Sequence, residues 1–216
     1  MLIGRNARPK PLVRPPFKGC VVVQGQTYPN YVDMVRDSWE GYQIIFSTWD
    51  NTDRKLYKES DIVIYNSIPT HVGVKNLNLQ KISTISGFLK AKELGWDRAL
   101  KVRSDFTTTT ADGLFGLFDR TKLNLHGYWG SYITDFYMEG EIDDVINLFE
   151  VSVDGQYPEW HLTKKLYESE LNKKSVCIVK NLVKDVCDIK WERMGYWFSS
   201  HNRNGICTAV LPEIWA

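Results

Sequence analysis

Short apolar runs alternate with amphipathic segments along the first half of the chain. The run Cys20–Val23 is mostly β-branched, which predicts a strand buried on both faces within Gly19–Gln26. The segments that follow alternate between helical and strand patterns, at Asn30–Trp39, Gln43–Ser47, Asn51–Glu59, Asp61–Tyr65, Asn76–Leu94 and Arg98–Asp105. This order predicts a layered α/β fold whose strands are joined by right-handed crossovers.

The pattern becomes irregular after Asp105. It predicts helices at Ala111–Phe118, Glu141–Glu150 and Pro158–Glu170, with aromatic-rich strand and turn segments over Gly127–Met138. A strand pair, or a strand and a helix, is expected within 175–191, and the last twenty residues read as irregular. We predict one domain over 19–216, behind a basic, proline-rich arm at 1–18.

Composition narrows the ligand class. The chain has 216 residues with a net charge of +1, which argues against a nucleic-acid backbone as the main partner because that role needs a basic face. Aromatic residues make up 13%, and these side chains stack on sugar and nucleobase faces. The excess favours a carbohydrate or nucleotide ligand, although a large aromatic core explains it equally well.

The cysteines and the hydropathy bear on location. The four cysteines, at 20, 177, 187 and 207, form no CxxC pair, and no histidine is spaced to complete a zinc site. Reduced structural thiols and a cytoplasmic setting are therefore expected. No run of eighteen apolar residues occurs, so we expect no transmembrane segment.

The predicted strand Arg98–Asp105 has charged residues at its carboxyl end, where a buried strand normally has apolar ones. Lys101, Arg103 and Asp105 share one face of the strand, because side chains alternate. A carboxylate at the carboxyl end of a buried strand suits a site for a divalent cation and a polyphosphate. The alternative is a salt-bridged strand on a half-solvated face, in which Arg103 pairs with Asp105.

The other predicted strands also end in small or polar residues. These ends are Gln24–Gln26, Ser47–Asp50 and Asn66–Ser67. Ligands of open α/β sheets bind outside the carboxyl ends of the strands. The shared polarity therefore favours a ligand site over a purely structural salt bridge.

Four segments, in order and spacing, resemble the WavE-type family of glycosyltransferases, which is associated with bacterial lipopolysaccharide synthesis and has similar domains in chloroviruses. The segments are Val22–Gln26, Phe46–Trp49, Asn78–Thr84 with Gly87, and Leu100–Asp105, and the resemblance spans residues 19 to about 165. It implies a GT-A fold with a mixed, mostly parallel sheet. It also implies a nucleotide-binding half at 19–105 and an acceptor-side half at 106–216.

The resemblance further implies a nucleoside-diphosphate sugar donor, such as a UDP-sugar, and Mn²⁺ or Mg²⁺. GT-A enzymes carry an Asp-X-Asp motif after the fourth strand. Here Arg103 occupies the first acidic place, so Asp105 is the one remaining metal ligand of the motif. His201, in the late segment, is the candidate second ligand, with a surface-loop role as the alternative.

The donor site is expected to combine the strand ends with the start of the long helix. Its candidate residues are Gln24, Gly25, Gln26, Thr48, Trp49, Asp50, Asn78, Lys81, Arg103 and Ser104. Within the helix, Gln80 and Thr84 share a face that would point toward the donor. The alternatives are a core position for Trp49 and helix capping for Asn78.

Candidate catalytic residues are Asp135 and Arg103. Asp135 lies among aromatic residues, which suits a sugar site where a carboxylate accepts a hydroxyl proton. Arg103, with Lys81, Lys101 and Arg203, would assist the departing diphosphate. Glu159 and His161 are second candidates, although Glu159 is also well placed to interact with a helix dipole.

The predicted function is metal-dependent transfer of a sugar from a nucleoside-diphosphate sugar to a glycan or glycoprotein acceptor, with retention favoured over inversion. One alternative is a non-catalytic carbohydrate-binding module, which would bind sugar without nucleotide. Another is a nucleotidyltransferase that makes activated sugars. That class needs a glycine-rich basic signature early in the chain, which Gln24–Gln26 supplies poorly.

Overall fold

The computed structural model describes residues 17–108, 111–116, 118–128, 132–150, 157–168, 176–179, 186–188 and 208–210. Its strands are β1 (Cys20–Gln24), β2 (Gln43–Trp49), β3 (Ile62–Asn66), β4 (Arg98–Arg103), β5 (Phe106–Thr108), β6 (Leu123–Tyr128), β7 (Tyr132–Glu141), β8 (Val176–Val179), β9 (Val186–Asp188) and β10 (Thr208–Val210). Its helices are α1 (Pro29–Ser38), α2 (Leu77–Glu93), α3 (Ala111–Gly116), α4 (Ile142–Phe149) and α5 (Pro158–Glu168).

Eight described strands form one mixed sheet, in the order β10-β8-β6-β7-β4-β1-β2-β3, while β5 and β9 form a separate antiparallel pair. Strands β4, β1, β2 and β3 are parallel, and β7 adds to β4 in the antiparallel direction. The chain reaches β2 on one side of β1 and returns through α2 to β4 on the other. The boundary between β1 and β4 is therefore the switch point at which α/β sheets bind ligands.

Helices cover both faces of the sheet because consecutive β1 residues point to opposite sides. Val21 and Val23 join the core cluster that contains α1, whereas Val22 joins the cluster that contains α2, α4 and α5. Gly87 allows α2 to pack closely on β1, since a Cβ there would lie 2.3 Å from Cγ1 of Val22. These contacts direct the amino end of α2 toward the carboxyl ends of β1 and β4.

A buried ion pair ties β7 to β4 at the opposite end of the sheet. The Arg98 guanidinium donates two hydrogen bonds to the Glu139 carboxylate, at 3.0 and 2.7 Å, and Glu139 is 1% exposed. Asn124 of β6 donates a further hydrogen bond to Glu139 at 2.7 Å. Full pairing is what makes a buried carboxylate tolerable, and this network holds the three strands in register.

The predicted elements of the first half agree with the structure to within two residues at each end, with one exception. The prediction of a helix at Asn51–Glu59 was wrong, because only one 3₁₀ turn forms there, at Arg54–Leu56. Asp53 accepts a hydrogen bond from the backbone of Lys55, which is the local pairing by which such residues compete with a helix. The tail expected to be irregular contributes β10.

Helical spacing predicts one apolar stripe on α2, made of Leu79, Ile82, Ile85, Phe88 and Leu89, and this prediction was partly wrong. Leu89 is 52% exposed, whereas Ser83, Thr84 and Gly87 are buried. Small residues face the sheet because the helix lies close to it. The predicted arm at 1–18 falls outside the described residues apart from its last two. Among the helices that the structure describes, none combines the length and the apolar character needed to cross a bilayer.

Candidate active site

A cleft of about 700 Å³ opens at the carboxyl ends of β1, β2 and β4. One wall is built from the ends of these strands and the start of α1, and the other from the amino end of α2 and the turn before it. The lining residues are Gln24, Gly25, Gln26, Tyr28, Pro29, Tyr31, Trp49, Lys75, Asn76, Leu79, Gln80, Arg103, Ser104, Asp105 and Asp135. The volume lies in the usual range for small-molecule and cofactor sites.

The turn after β1 brings backbone to the floor of the cleft. Gly25 has φ of +115°, a conformation that side-chain-bearing residues rarely adopt, and a Cβ there would lie 3.2 Å from Oγ of Ser104. The turn is pinned by backbone hydrogen bonds, 3.0 Å from Gly25 N to Ser47 O and 2.8 Å from Ser104 N to Gln24 O. The ends of β1, β2 and β4 are thereby held together.

Buried hydroxyl groups support this turn from below. Gln26 donates to Oγ1 of Thr52 at 3.2 Å, and Thr52 lies 2.9 Å from Oγ1 of Thr48. Thr27 completes the cluster through Thr48 and the Tyr57 hydroxyl. Burial is the main cause that raises the pKa of Tyr57, so its hydroxyl stays protonated and available to this cluster.

Arg103 and Asp105 form a two-pronged ion pair on the cleft wall. Nε of Arg103 donates to one carboxylate oxygen at 2.9 Å and Nη2 donates to the other at 2.6 Å. The side chains are 25% and 14% exposed. The predicted pairing of Arg103 with Asp105 is therefore present, but it lies in the cleft rather than away from it.

Asp135 of β7 lies within ion-pair range of two cations of β4, Arg103 and Lys101. Its carboxylate oxygens lie 3.9 Å from Nη1 of Arg103 and 3.9 Å from Nζ of Lys101, whose ammonium also donates to the Asp135 carbonyl oxygen. Burial lowers the pKa of Lys101 to about 8, although the charge of Asp135 opposes that shift. Two carboxylates of the cleft therefore lie within ion-pair range of Arg103, which also lines it, and one of them, Asp135, lies within the same range of Lys101, which is fully buried behind the cleft.

The sequence matches no protein-family model and no curated protein. The structure is similar to the crystal structure of a protein from Desulfovibrio desulfuricans G20 that is provisionally named a nucleotide-diphospho-sugar transferase. The TM-score is 0.53 and the sequence identity 9%, over 76% of this chain and 80% of that chain. At this identity the likeness is one of fold, and it confirms the predicted GT-A type of fold. The WavE-type resemblance stays a prediction.

The cleft brings together most of the predicted site residues. Those that line it are Gln24, Gly25, Gln26, Trp49, Gln80, Arg103, Ser104, Asp105 and Asp135. Trp49 is only 4% exposed, so it contributes to the core as well as to the cleft wall. The functional roles of these residues stay predictions.

Four predicted donor-site residues are not among those that line the cleft. Thr48 is fully buried in the hydroxyl cluster, and Asp50 is exposed beyond β2. Asn78 donates to the carbonyl oxygen of His71 at 2.9 Å, so it secures the loop before α2. The pKa of His161 is lowered first by burial, then by the charge of Lys165 and then by that of Lys81, which indicates that Lys81 lies near this imidazole.

The second catalytic candidates lie on α5, beside β7. Thr163 accepts a hydrogen bond from the backbone of Ile133 at 3.0 Å and donates to Glu159 O at 2.7 Å, which fixes the first turn of α5. The negative charge of Glu159 makes a small contribution that raises the pKa of Lys101, against the larger effect of burial. His161 is 5% exposed and does not line the cleft.

His201 lies outside the described residues. Within the described ranges, no group of three or more His, Cys, Asp or Glu side chains converges as a metal site.

The sequence pattern missed the residues that line the cleft from outside the strands. These include Tyr28, Pro29 and Tyr31 at the start of α1, and Lys75, Asn76 and Leu79 at the start of α2. Lys75 and Asn76 have positive φ angles, 49° and 64°, which are uncommon for such residues and concentrate at ligand sites. Helix starts after β1 and β3 were a usable signal, because these loops open on the ligand edge of the sheet.

Proposed function

We propose that this protein is a glycosyltransferase that takes a sugar from a nucleoside-diphosphate sugar, with uridine as the nucleoside, and transfers it to a glycan acceptor. One observation carries the proposal. In a fold shared with a protein provisionally named a nucleotide-diphospho-sugar transferase, the sheet's switch point opens into a cleft of about 700 Å³ that contains Arg103, Asp105 and Asp135. The size, the position and the paired charges suit a diphosphate ligand.

Arg103 is the proposed phosphate-binding group. Its guanidinium presents several donors in a planar fork, which matches phosphate oxygens as well as it matches the Asp105 carboxylate. Lys75 lines the same cleft and adds a second positive charge. In the reaction, the bond between the anomeric carbon and the diphosphate oxygen breaks, and these cations stabilise the negative charge that grows on the diphosphate.

The carboxylates also suit a hard divalent cation in kind. Asp105 and Asp135 direct oxygen donors into one cleft, and Mg²⁺ and Mn²⁺ prefer such ligands. When bound, such an ion would stabilise the charge of the departing diphosphate. Both carboxylates are already balanced by Arg103 and Lys101, so we expect the ion to bind only together with a nucleotide whose phosphates draw Arg103 away.

The ion pairs also support a retaining transfer. An inverting reaction needs a general base that faces the acceptor; of the two carboxylates that line the cleft, Asp105 would hold the ion, and Asp135 keeps Lys101 at 3.9 Å when Arg103 turns to the phosphates. In a retaining reaction, the acceptor oxygen bonds to the anomeric carbon on the face that the diphosphate leaves. The acceptor proton then passes to the departing diphosphate, so no separate base is required.

The test is nucleotide release from a panel of UDP-, GDP- and CMP-sugars, with and without Mn²⁺ and with glycan acceptors. We expect UDP release, with activity at least about 100-fold lower in Arg103→Met, which is the scale for loss of one charge-stabilising donor. Arg54→Met is the matched control, because Arg54 lies over the Tyr65 ring, at 4.5 Å, rather than in the cleft. Sugar binding with no nucleotide release from any donor would instead support a carbohydrate-binding module.

A further inference from the structure

Two glutamine side chains on opposite walls of the cleft bury carbonyl oxygens that receive no hydrogen bond from the described part of the chain. Gln24 is 5% exposed, and its Oε1 accepts no hydrogen bond from any residue that the structure describes. Oε1 of Gln80 is in the same condition. Buried acceptors of this kind are uncommon, because each loses its hydrogen bonds to water without replacement. Both line the cleft, so a bound molecule can supply the missing donors.

The two amides face the same space beside Arg103. Gln24 is the register partner of Arg103 in the parallel pair of β1 and β4, so their side chains project from the same face of the sheet. Val22, two residues earlier on that face, packs against Gly87 of α2. Gln80 lies about two turns before Gly87 on α2, on the side that faces the sheet. Gln24 and Gln80 therefore flank the region next to the guanidinium.

The chemistry of the missing partner follows from this position. Each oxygen requires an O–H or N–H donor, and the adjacent guanidinium suits a phosphate. Beside its diphosphate, a nucleotide sugar carries neighbouring hydroxyl groups in two places, on the ribose and on the transferred sugar. Resting on the function proposed above, we propose that Gln24 and Gln80 form a hydroxyl-accepting pair that binds a vicinal diol of the donor.

The pair is tested by calorimetric titration of the full chain with UDP, 2′-deoxy-UDP, 3′-deoxy-UDP, 2′,3′-dideoxy-UDP and UDP-glucose. Gln24→Met and Gln80→Met remove the acceptor with little change in shape. We expect each to weaken binding about tenfold, the usual effect of losing one hydrogen bond in a site. The midpoint of thermal unfolding should stay the same or rise, because an unpaired buried acceptor is removed. Gln43→Met, at the start of β2 and away from the cleft, is the matched control.

The ligands separate the two sources of the diol. If it is the ribose, the parent protein binds the deoxy nucleotides more weakly, and the glutamine variants lose no further affinity for the nucleotide that lacks the contacted hydroxyl. If it is the transferred sugar, the variants bind UDP like the parent and lose affinity only for UDP-glucose. Either pattern supports the proposal.

Two results would overturn the pair. One is parental affinity of both variants for every ligand, and the other is an equal loss for UDP, UDP-glucose and a dideoxy nucleotide without ribose hydroxyls. The parent titrations show without any variant whether the ribose hydroxyls contribute to binding, and because the two substitutions are made separately, one variant decides the rest where the other does not fold. A parent that binds no nucleotide at all refutes the proposed function itself, which is a different outcome from a parent that binds while its variants are unchanged.

Discussion

Replacing Asp105 by asparagine tests whether the ion pair on the cleft wall is structural or part of a ligand site. The carboxylate accepts two charged hydrogen bonds from Arg103, at 2.9 and 2.6 Å, in a partly buried position. Hydrogen bonds to charged groups contribute about 1.5–3 kcal/mol, and partial exposure reduces the electrostatic part. We therefore expect Asp105→Asn to lower the free energy of unfolding by about 2 kcal/mol, or the melting temperature by about 4–8 °C for a chain of this length.

The ligand dependence of the same variant is the decisive measurement. With UDP and Mn²⁺ at about 100 times the dissociation constant, binding stabilises the parent by about 2.7 kcal/mol, which raises its melting temperature by about 5–11 °C. UDP or Mn²⁺ alone should give much less, because in the proposed site Asp105 would bind the ion only after Arg103 had turned to the phosphates. In Asp105→Asn, the additional stabilisation by Mn²⁺ should disappear.

Differential scanning fluorimetry with and without EDTA measures both shifts in melting temperature, the one caused by the substitution and the one caused by UDP with Mn²⁺. Asp143→Asn is the control, since it removes an exposed carboxylate, paired with Lys92, that lies away from the cleft. It should change stability by no more than about 1 kcal/mol. If Asp105→Asn is stabilised by UDP and Mn²⁺ as much as the parent, Asp105 does not bind the ion, and the pair is structural.

Two further substitutions test the packing and the charges around the cleft. Gly87→Ala should destabilise the protein by about 1–3 kcal/mol, because the new Cβ would collide with Val22. Gly116→Ala is the control and should be neutral or stabilising, because a Cβ at that position would meet no atom within 4 Å. Equal midpoints of urea unfolding for the two variants would contradict this. Burial lowers the pKa of Lys101 from 10.5 in the unfolded chain to about 8 in the folded protein, so the folded protein releases this proton at the lower pH. The free energy of unfolding of the parent, relative to that of Lys101→Met, should therefore rise by about 3 kcal/mol between pH 8 and 10.5. Parallel pH profiles of the two proteins would refute the lowered pKa.

Local periodicity was enough to predict most elements of the first half. The β-branched run of β1 and the amphipathic spacing of α1 are properties of neighbouring residues, so they are legible without a partner. Periodicity failed where contacts from elsewhere decide the structure. Leu89 reads as part of the apolar face of α2, yet Gly87 and its small neighbours face β1, because close approach of a helix to a sheet requires small side chains.

The candidate site divides in the same way. Arg103 and Asp105 were predicted from their place at the end of a charged strand, and Gln24–Gln26 from the polar end of β1. Their convergence depends on the strand order, which brings β1 between β2 and β4. No local pattern indicated that Asp135, on a strand more than thirty residues later, would share their cations.

By itself, the sequence determined most of the order of helices and strands in the first half and placed polar residues at the strand ends, because alternation and helical spacing are local properties of the chain. Only the tertiary structure decided that Arg103 lies between two carboxylates and that Oε1 of Gln24 and Oε1 of Gln80 accept no hydrogen bond from the residues that the structure describes. Those facts depend on distances between residues far apart in sequence. Such distances are set when α2 packs on β1 and when β7 pairs with β4.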